Sequence, residues 1–455
     1  MKNTKMKLIS TVILALLLSN NAMAETIFEA MTDAYNTNPT LHRQRAVSGA
    51  TNEDAALARS GFRPTVAVGA NYTDSHTRNT GNPTVDGYSK GYRGTVKQSV
   101  FSGFQTYNAV KAADNNAKAG IDNLYEVEQQ ILLAASSAYL DVVRDEAIVE
   151  LQKNNEKLLK KQLDETMARF DVGEVTRTDV AQSRASYAQA QSDLISAEGN
   201  LAISRENYMQ IVGKEAENVA FPENLQNLFP QQFADAMDYA KANNYALHAA
   251  KKSLKAAKYG VKSQEGALLP EVSFTASTGK TQVGSHNLPK DPATTSTEYV
   301  MEVSMPLYAG GATRANIRKS KYQRWQAEEG LREAERAVVA NVTDNWELMQ
   351  TSKSNISSIK EQVKASAIAL EGTQKEEALG NRTVLDVLNA YQTLLASQVS
   401  EVTARHDYYL SGLQLLQTMG KLTAKQLNLN VKYYNAEQHY QDTKGKWLSL
   451  SIDKD

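Results

Sequence analysis

The 455-residue chain contains no cysteine. Disulfides and thiolate metal sites are therefore excluded, and stability must come from packing or from association between copies. Beyond residue 24 no run of 18 apolar residues occurs, so no later segment qualifies as a membrane-spanning helix. An excess of one charge is also missing. Lys and Arg number 50 against 51 Asp and Glu, a net of −1, which leaves no electrostatic footprint for nucleic acid. The patterns HExxH, GxSxG, GxGxxG and the P-loop are absent, and the six histidines (42, 76, 248, 286, 406, 439) are scattered. Neither an enzyme nor a metal or cofactor site is expected. His42 and His248 hold equivalent places just inside short helices and read as packing or capping residues.

What the chain does contain is a copy of itself. NPTLH at 38–42 returns as NYALH at 244–248, and Pro64 and Val66 return as Pro270 and Val272, all 206 positions on. Phe101 and Gly103 return as Tyr308 and Gly310, Tyr139 as Trp346, and Gly213 as Gly420, 207 positions on. GEVTRTDV at 173–180 matches GNRTVLDV at 380–387 at the same spacing. A period this long is no solenoid repeat. It predicts two similar halves, 25–230 and 231–420, followed by a tail at 421–455 that is equatorial or partly disordered.

The first residues carry an export address. Lys2, Lys5 and Lys7 precede a short apolar stretch, and Ala22-Met23-Ala24 fits signal cleavage before Glu25. Residues 1–24 thus read as a signal peptide. Its removal takes away three lysines and no acid, moving the net charge from −1 to −4.

Most of the remainder reads as helix. Between Phe104 and Phe170 there is no proline, and Gly120 is the one internal glycine. At ~1.5 Å per residue this makes roughly 100 Å of rod. Val342, Met349, Ile356, Val363 and Leu370 recur at seven-residue spacing, the signature of a left-handed coil. Shorter helices are predicted at about 27–60, 178–212, 233–267 and 385–418. In each half the two short ones together match one long one.

Four segments alternate with period two instead: about 65–77, 88–101, 271–283 and 298–308. One face carries Val66, Val68, Tyr72, Tyr92, Val96, Val100, Phe274, Met301 and Val303; the other carries Arg93, Lys97, Glu271 and Glu302. Their length suits tilted membrane strands. A small soluble sheet packed on helices would alternate in the same way. If the strands enter lipid, four cannot close a barrel, and copies must share one. Two copies give eight strands with little lumen; three give twelve with space inside.

At this point the chain resembles the TolC family of outer-membrane channel-tunnels over essentially residues 25–430. The marks are Asn38-Pro39-Thr40-Leu41, SVFSGF (99–104), MPLYAGG (305–311), and RFDVGEVTRTDV with LGNRTVLDVLNA at the far ends of the long helices. The resemblance implies a mixed α and β membrane protein: a homotrimeric 12-stranded outer-membrane β-barrel, continued by a 12-helix periplasmic coiled-coil α-barrel. It implies a periplasmic membrane-fusion adaptor and an inner-membrane ABC or RND-type pump as partners. The function implied is a passive exit duct for drugs or unfolded proteins, opened by iris-like movement of the coil tips. A periplasmic adaptor or a trimeric coiled-coil adhesin also uses long helices. The first would need a lipoyl-like domain, the second uninterrupted heptads.

The resemblance also assigns residues. Arg382 would hold Thr178 or Asp179 on an adjacent hairpin and lock the tips; the plain alternative is a pair with Asp386 on its own helix. Where the family has a tyrosine before the second tip glycine, this chain has Glu377, which calls for an Arg or Lys partner. Asp386 and residue 389 would ring the narrowest point. With Asn389 in the second place, three copies supply three carboxylates rather than six, and cation preference should weaken. Asp386 as an ordinary surface acid is the alternative. Gly173, Gly380, Arg177 and Asn381 would meet the adaptor, or are plain turn residues.

Overall fold

The computed structural model describes residues 25–77, 85–285 and 292–452. The signal segment with Ala24, and the tips of the two hairpin loops, lie outside the described residues. In chain order the elements are α1 (Ile27–Thr37), α2 (Pro39–Ser60), β1 (Thr65–Thr77), β2 (Val85–Ser102), α3 (Gln105–Asp171) and α4 (Arg177–Val212). The second half repeats them as α5 (Phe233–Asn243), α6 (Tyr245–Gly266), β3 (Glu271–Ser285), β4 (Thr294–Ser304), α7 (Ala312–Ala378) and α8 (Val384–Thr418), and α9 (Ala436–Thr443) follows. The chain divides into two compact units. One contains residues 127–242, 339–433 and the start of the chain to Leu41; the other contains 42–126, 243–338 and 434 onward.

Each expected first helix is broken in two. Asn38 stands before Pro39, and a residue before proline is pushed out of the α region; its φ and ψ are −69° and 119°. Its side-chain oxygen accepts from the Thr40 and Leu41 amides at 2.9 and 3.4 Å. Asn244 does the same for Leu247 at 2.9 Å. The repeated NPTLH and NYALH are therefore repeated helix caps. Thr37 Oγ1 donates to Val212 O at 2.7 Å and Asn38 Nδ2 to Ile211 O at 3.0 Å, bringing the start of α2 to the end of α4.

The four strands form one antiparallel meander, β1-β2-β3-β4, and β2–β3 joins the two halves. The register aligns Val66, Val96, Ala276 and Tyr299 across one face, and Thr65, Lys97, Thr275 and Val300 across the other. The apolar face is bare: Val66, Val68 and Tyr299 are 72%, 81% and 72% exposed. Two details differ from the period-two pattern. A bulge between Ser99 and Phe101 shifts the pairing, so Phe101 faces Val272 and Val100 is skipped in the ladder. β4 ends at Ser304 rather than 308, since Pro306 has no amide for a ladder, and it starts four residues early on a threonine run that pairs with Thr278 and Thr281.

All three duplicated glycine pairs sit at positive φ: Gly103 and Gly310 (58° and 59°), Gly173 and Gly380 (82° and 78°), Gly213 and Gly420 (88° and 79°). Only glycine adopts this region without strain, so the duplicate retains it there. Phe104 is the exception, at φ 63° where the second half has Gly311.

In the first unit the heptad positions Ala135, Val142, Val149, Val342 and Met349 are buried. Glu128, a polar member of the same series, is buried too, and accepts from the Ala424 amide at 2.8 Å; Gln129 accepts from Leu422 at 3.2 Å. The chain after α8 is thereby tied down. Elsewhere in this unit, the buried His406 lies between Asp407 (Nδ1 to Oδ1, 2.9 Å) and Asp141 of α3 (Nε2 to Oδ1, 3.2 Å). Arg144 is 2.8 Å from both Asp141 and Asp145. Burial pushes the imidazole pKa down, but the two carboxylates outweigh it and the net shift is upward from 6.5. A raised folded pKa stabilises fully below the unfolded value and loses that stabilisation as pH climbs through the folded one. The apparent melting temperature of His406→Asn should therefore fall furthest below wild type at pH values below the ordinary imidazole value of 6.5, and the gap should narrow as pH rises above it. A gap independent of pH would show that protonation is not what matters there.

Candidate functional site: the coil tips

Each long helix closes with the same sequence-coded stop and restart. At the first tip, Glu174 N donates to Arg169 O and Gly173 N to Phe170 O, both at 2.9 Å. At the second, Asn381 N donates to Glu376 O at 2.9 Å and Gly380 N to Glu377 O at 2.8 Å. This six-to-one, five-to-two pair is a Schellman motif, which needs the left-handed glycine. The next helix then starts on a capping box. Asp179 N donates to Thr176 Oγ1 at 3.3 Å, and Thr176 N donates back to Asp179 Oδ2 at 2.8 Å. Asp386 and Thr383 repeat this at 3.2 and 2.9 Å. The Thr-x-x-Asp spacing was readable in the sequence and marks a helix start; it gives both aspartates a local task. Thr383's hydrogen bonds also hold the Asp386 carboxyl below its ordinary range.

The two hairpins of one chain pack together. Leu159 of α3 and Ala190 of α4 share a core with Leu370, Val384, Val387, Leu388 and Tyr391 of α7 and α8. Above it an ion pair crosses between them: Arg169 Nη1 donates to Glu377 Oε1 at 2.5 Å, and Arg169 Nε reaches Glu174 at 3.3 Å. Glu377 is the residue that stands in the tyrosine's place. Its partner lies 208 positions away, so no local pattern could name it.

Arg382 does not reach Thr178 or Asp179 within the chain, and its partner is not Asp386. Its Nε donates to Glu376 Oε2 at 2.9 Å, across its own turn, while Asp179 is engaged by Thr176. Geometry is the reason: the turn at Gly380 folds Arg382 back toward the last turn of α7. Arg169 and Glu376 occupy equivalent repeat positions, so the two turns are closed by ion pairs of opposite polarity. Thr178, Arg177, Asn381, Asn389, Gly173 and Gly380 are exposed, and Asp386 is half-buried. Beside the tip glycines, Val172 and Leu379 are 71% and 78% exposed and also equivalent. Such bare apolar residues are unlike ordinary turn chemistry. Away from the tips, Glu25 is buried, accepting from Tyr208 Oη at 2.6 Å with Lys214 Nζ at 3.0 Å.

Two measurements check this account. Thr176→Val should cost the first turn of α4 about 1 kcal/mol of protection against amide hydrogen exchange, while Thr178→Val, which caps nothing, stays within about 0.5 kcal/mol. A double-mutant cycle on Arg169 and Glu377 should give a coupling of about 0.2–1 kcal/mol that shrinks in high salt. Zero coupling at low salt would remove the pair as a link between the hairpins.

The profile of the family described as outer membrane efflux protein matches residues 30–214 and 236–421, one match in each repeat. The outer membrane efflux protein BepC of Brucella suis is 35% identical over 430 residues, covering 94% of this chain and 92% of the relative. The outer membrane protein TolC of Escherichia coli is 27% identical over 436 residues, covering 90% and 85%. Among solved structures, the outer membrane protein VceC of Vibrio cholerae superposes with a TM-score of 0.76 at 17% identity, covering 87% and 96%. The duplicated helix–hairpin–helix unit, the bare strand face and these matches agree: the chain belongs to the outer membrane efflux protein family.

Proposed function

We propose that three copies of this chain assemble into one exit duct, a 12-stranded barrel in the outer membrane continued by twelve helices into the periplasm. One observation carries the reading. Among the described residues, the four-stranded meander exposes its apolar face and has β1 and β4 as its two edge strands. In hydrocarbon an open edge strands its N–H and C=O groups, and four strands are too few to curl shut. Copies related by rotation supply the missing neighbours, β4 of one pairing with β1 of the next. The polar face with Arg93, Lys97, Glu298 and Glu302 then lines water.

The tips form the gate. Arg169–Glu377 joins the two hairpins of each chain, and Arg382 exchanges Glu376 for Thr178 or Asp179 of the neighbouring subunit when the ring closes. Asp386 and Asn389 line the constriction, with Asp386 supplying three carboxylates. The tips, with Gly173, Gly380, Arg177, Asn381 and the bare Val172 and Leu379, dock a periplasmic membrane-fusion adaptor. That adaptor links the duct to an inner-membrane ABC or RND-type pump, which selects the cargo. Efflux is named for BepC and protease secretion for AprF of Pseudomonas aeruginosa, so both drugs and unfolded proteins stand as cargo. Residues 1–24 act as the export signal, cleaved between Ala24 and Glu25.

Purified protein in detergent should have the mass of three chains and form channels in planar bilayers. A monomeric, detergent-independent species would end the proposal. Arg169→Ser with Arg382→Ser should raise the single-channel conductance several-fold. Asp386→Ala should abolish block by trivalent cations from the periplasmic side. Unchanged conductance removes the gate, and unchanged block removes the ring.

A further inference from the structure

The second unit contains a cavity of about 600 Å³ that the duct does not use. One wall is a single face of α2, where Ala46, Gly49 and Ala50 leave the floor low. The other wall is the tail, through Tyr434, His439, Lys446 and Ile452. The tail is pinned there. Asn52 Nδ2 lies 2.9 Å from His439 Nδ1, Tyr440 Oη donates to Asp114 at 2.9 Å, and Arg59 Nη2 donates to the same carboxylate at 2.6 Å. Arg63 Nη1 donates to Lys446 O at 3.3 Å and stacks over Trp447 at 4.3 Å. The space is thus bounded by attached walls. Small residues keep it open: a Cβ on Gly49 would come no closer than 3.6 Å to any neighbour, the His439 ring.

The lining defines the occupant. Its size lies within the ~300–1,000 Å³ of small-molecule sites, which are mostly apolar with a few polar groups. Aromatic surface is provided by Tyr434 and His439, whose rings are 6.2 Å apart, and the Arg45 guanidinium stands 5.4 Å over Tyr434. Among the described lining residues Arg45 and Lys446 outnumber the one acid, Glu53, and His42 and His439 add imidazoles. Cationic groups around a flat apolar slot suit a carboxylate or sulfonate on a ring-bearing body. We propose that this cavity binds an amphipathic organic acid with an aromatic or alicyclic body, and that the tail is the half of the site that closes over it. The proposal does not rest on the trimer or the gate.

The test uses the full chain in detergent, with naphthalene-2-sulfonate as probe and the uncharged naphthalene-2-methanol as comparison, by equilibrium dialysis against matched micelles. The sulfonate should bind saturably, once per chain, and at least tenfold more tightly than the alcohol. Arg45→Gln and Lys446→Gln should each weaken it several-fold. Gly49→Leu, favourable in a helix, should abolish it while the melting temperature and assembly mass stay unchanged. Equal binding of both probes, or full binding to Gly49→Leu, would overturn the proposal. So would a Gly49→Leu protein that loses its assembly mass, because the cavity would then be a seat for a neighbouring copy.

Discussion

A backbone amide or carbonyl in hydrocarbon has no water to turn to, and from this one constraint most of the molecule follows. Four strands with an apolar face make a sheet whose interior ladders are satisfied and whose two edges are not. Neither edge carries a proline to blunt it within the strand, and Pro306 enters only after β4 has ended. A sheet of this kind is complete only in company. The helices face the opposite situation: their backbone is satisfied internally, and their demand is apolar burial along a narrow seam. Heptad residues such as Val142 and Val342 meet it, so the same chain serves a lipid phase with strands and an aqueous one with coils.

Duplication explains how one chain comes to be so regular. The copies have diverged through most of their side chains, but backbone geometry has resisted. At three paired sites a left-handed turn requires glycine, and glycine stands at both members of each pair. The Thr-x-x-Asp boxes and the asparagine caps are retained in the same way. Where Phe104 replaces the glycine of Gly311, the aromatic ring packs edge-on against Phe101 at 5.2 Å, so a packing gain accompanies the strained φ.

Legibility in the sequence follows the same division. Features set by local geometry could be read directly: the strands from alternation, the long rods from the lack of proline, the turns from Gly173 and Gly380. The bulge at Val100 could not, because period two predicts continuity and only the partner strand reveals the slip. The capping role of Asp179 and Asp386 is written in the Thr-x-x-Asp spacing, whereas the family resemblance speaks only of a gate. Pairs far apart in the chain were beyond reach. Arg169 with Glu377, Glu128 with Ala424 and Asn52 with His439 each join segments that nothing local connects. The tail at 421–452 was unreadable for that reason: its residues take their meaning from α2 and α3.

The turn ion pairs run Arg169 to Glu174 in one hairpin and Arg382 to Glu376 in the other, and one position of each pair is equivalent, with arginine at 169 and glutamate at 376. Two turns built on one backbone plan thus differ in sign at that position. Duplication has left one chain with two tips that share a backbone and are not interchangeable in charge.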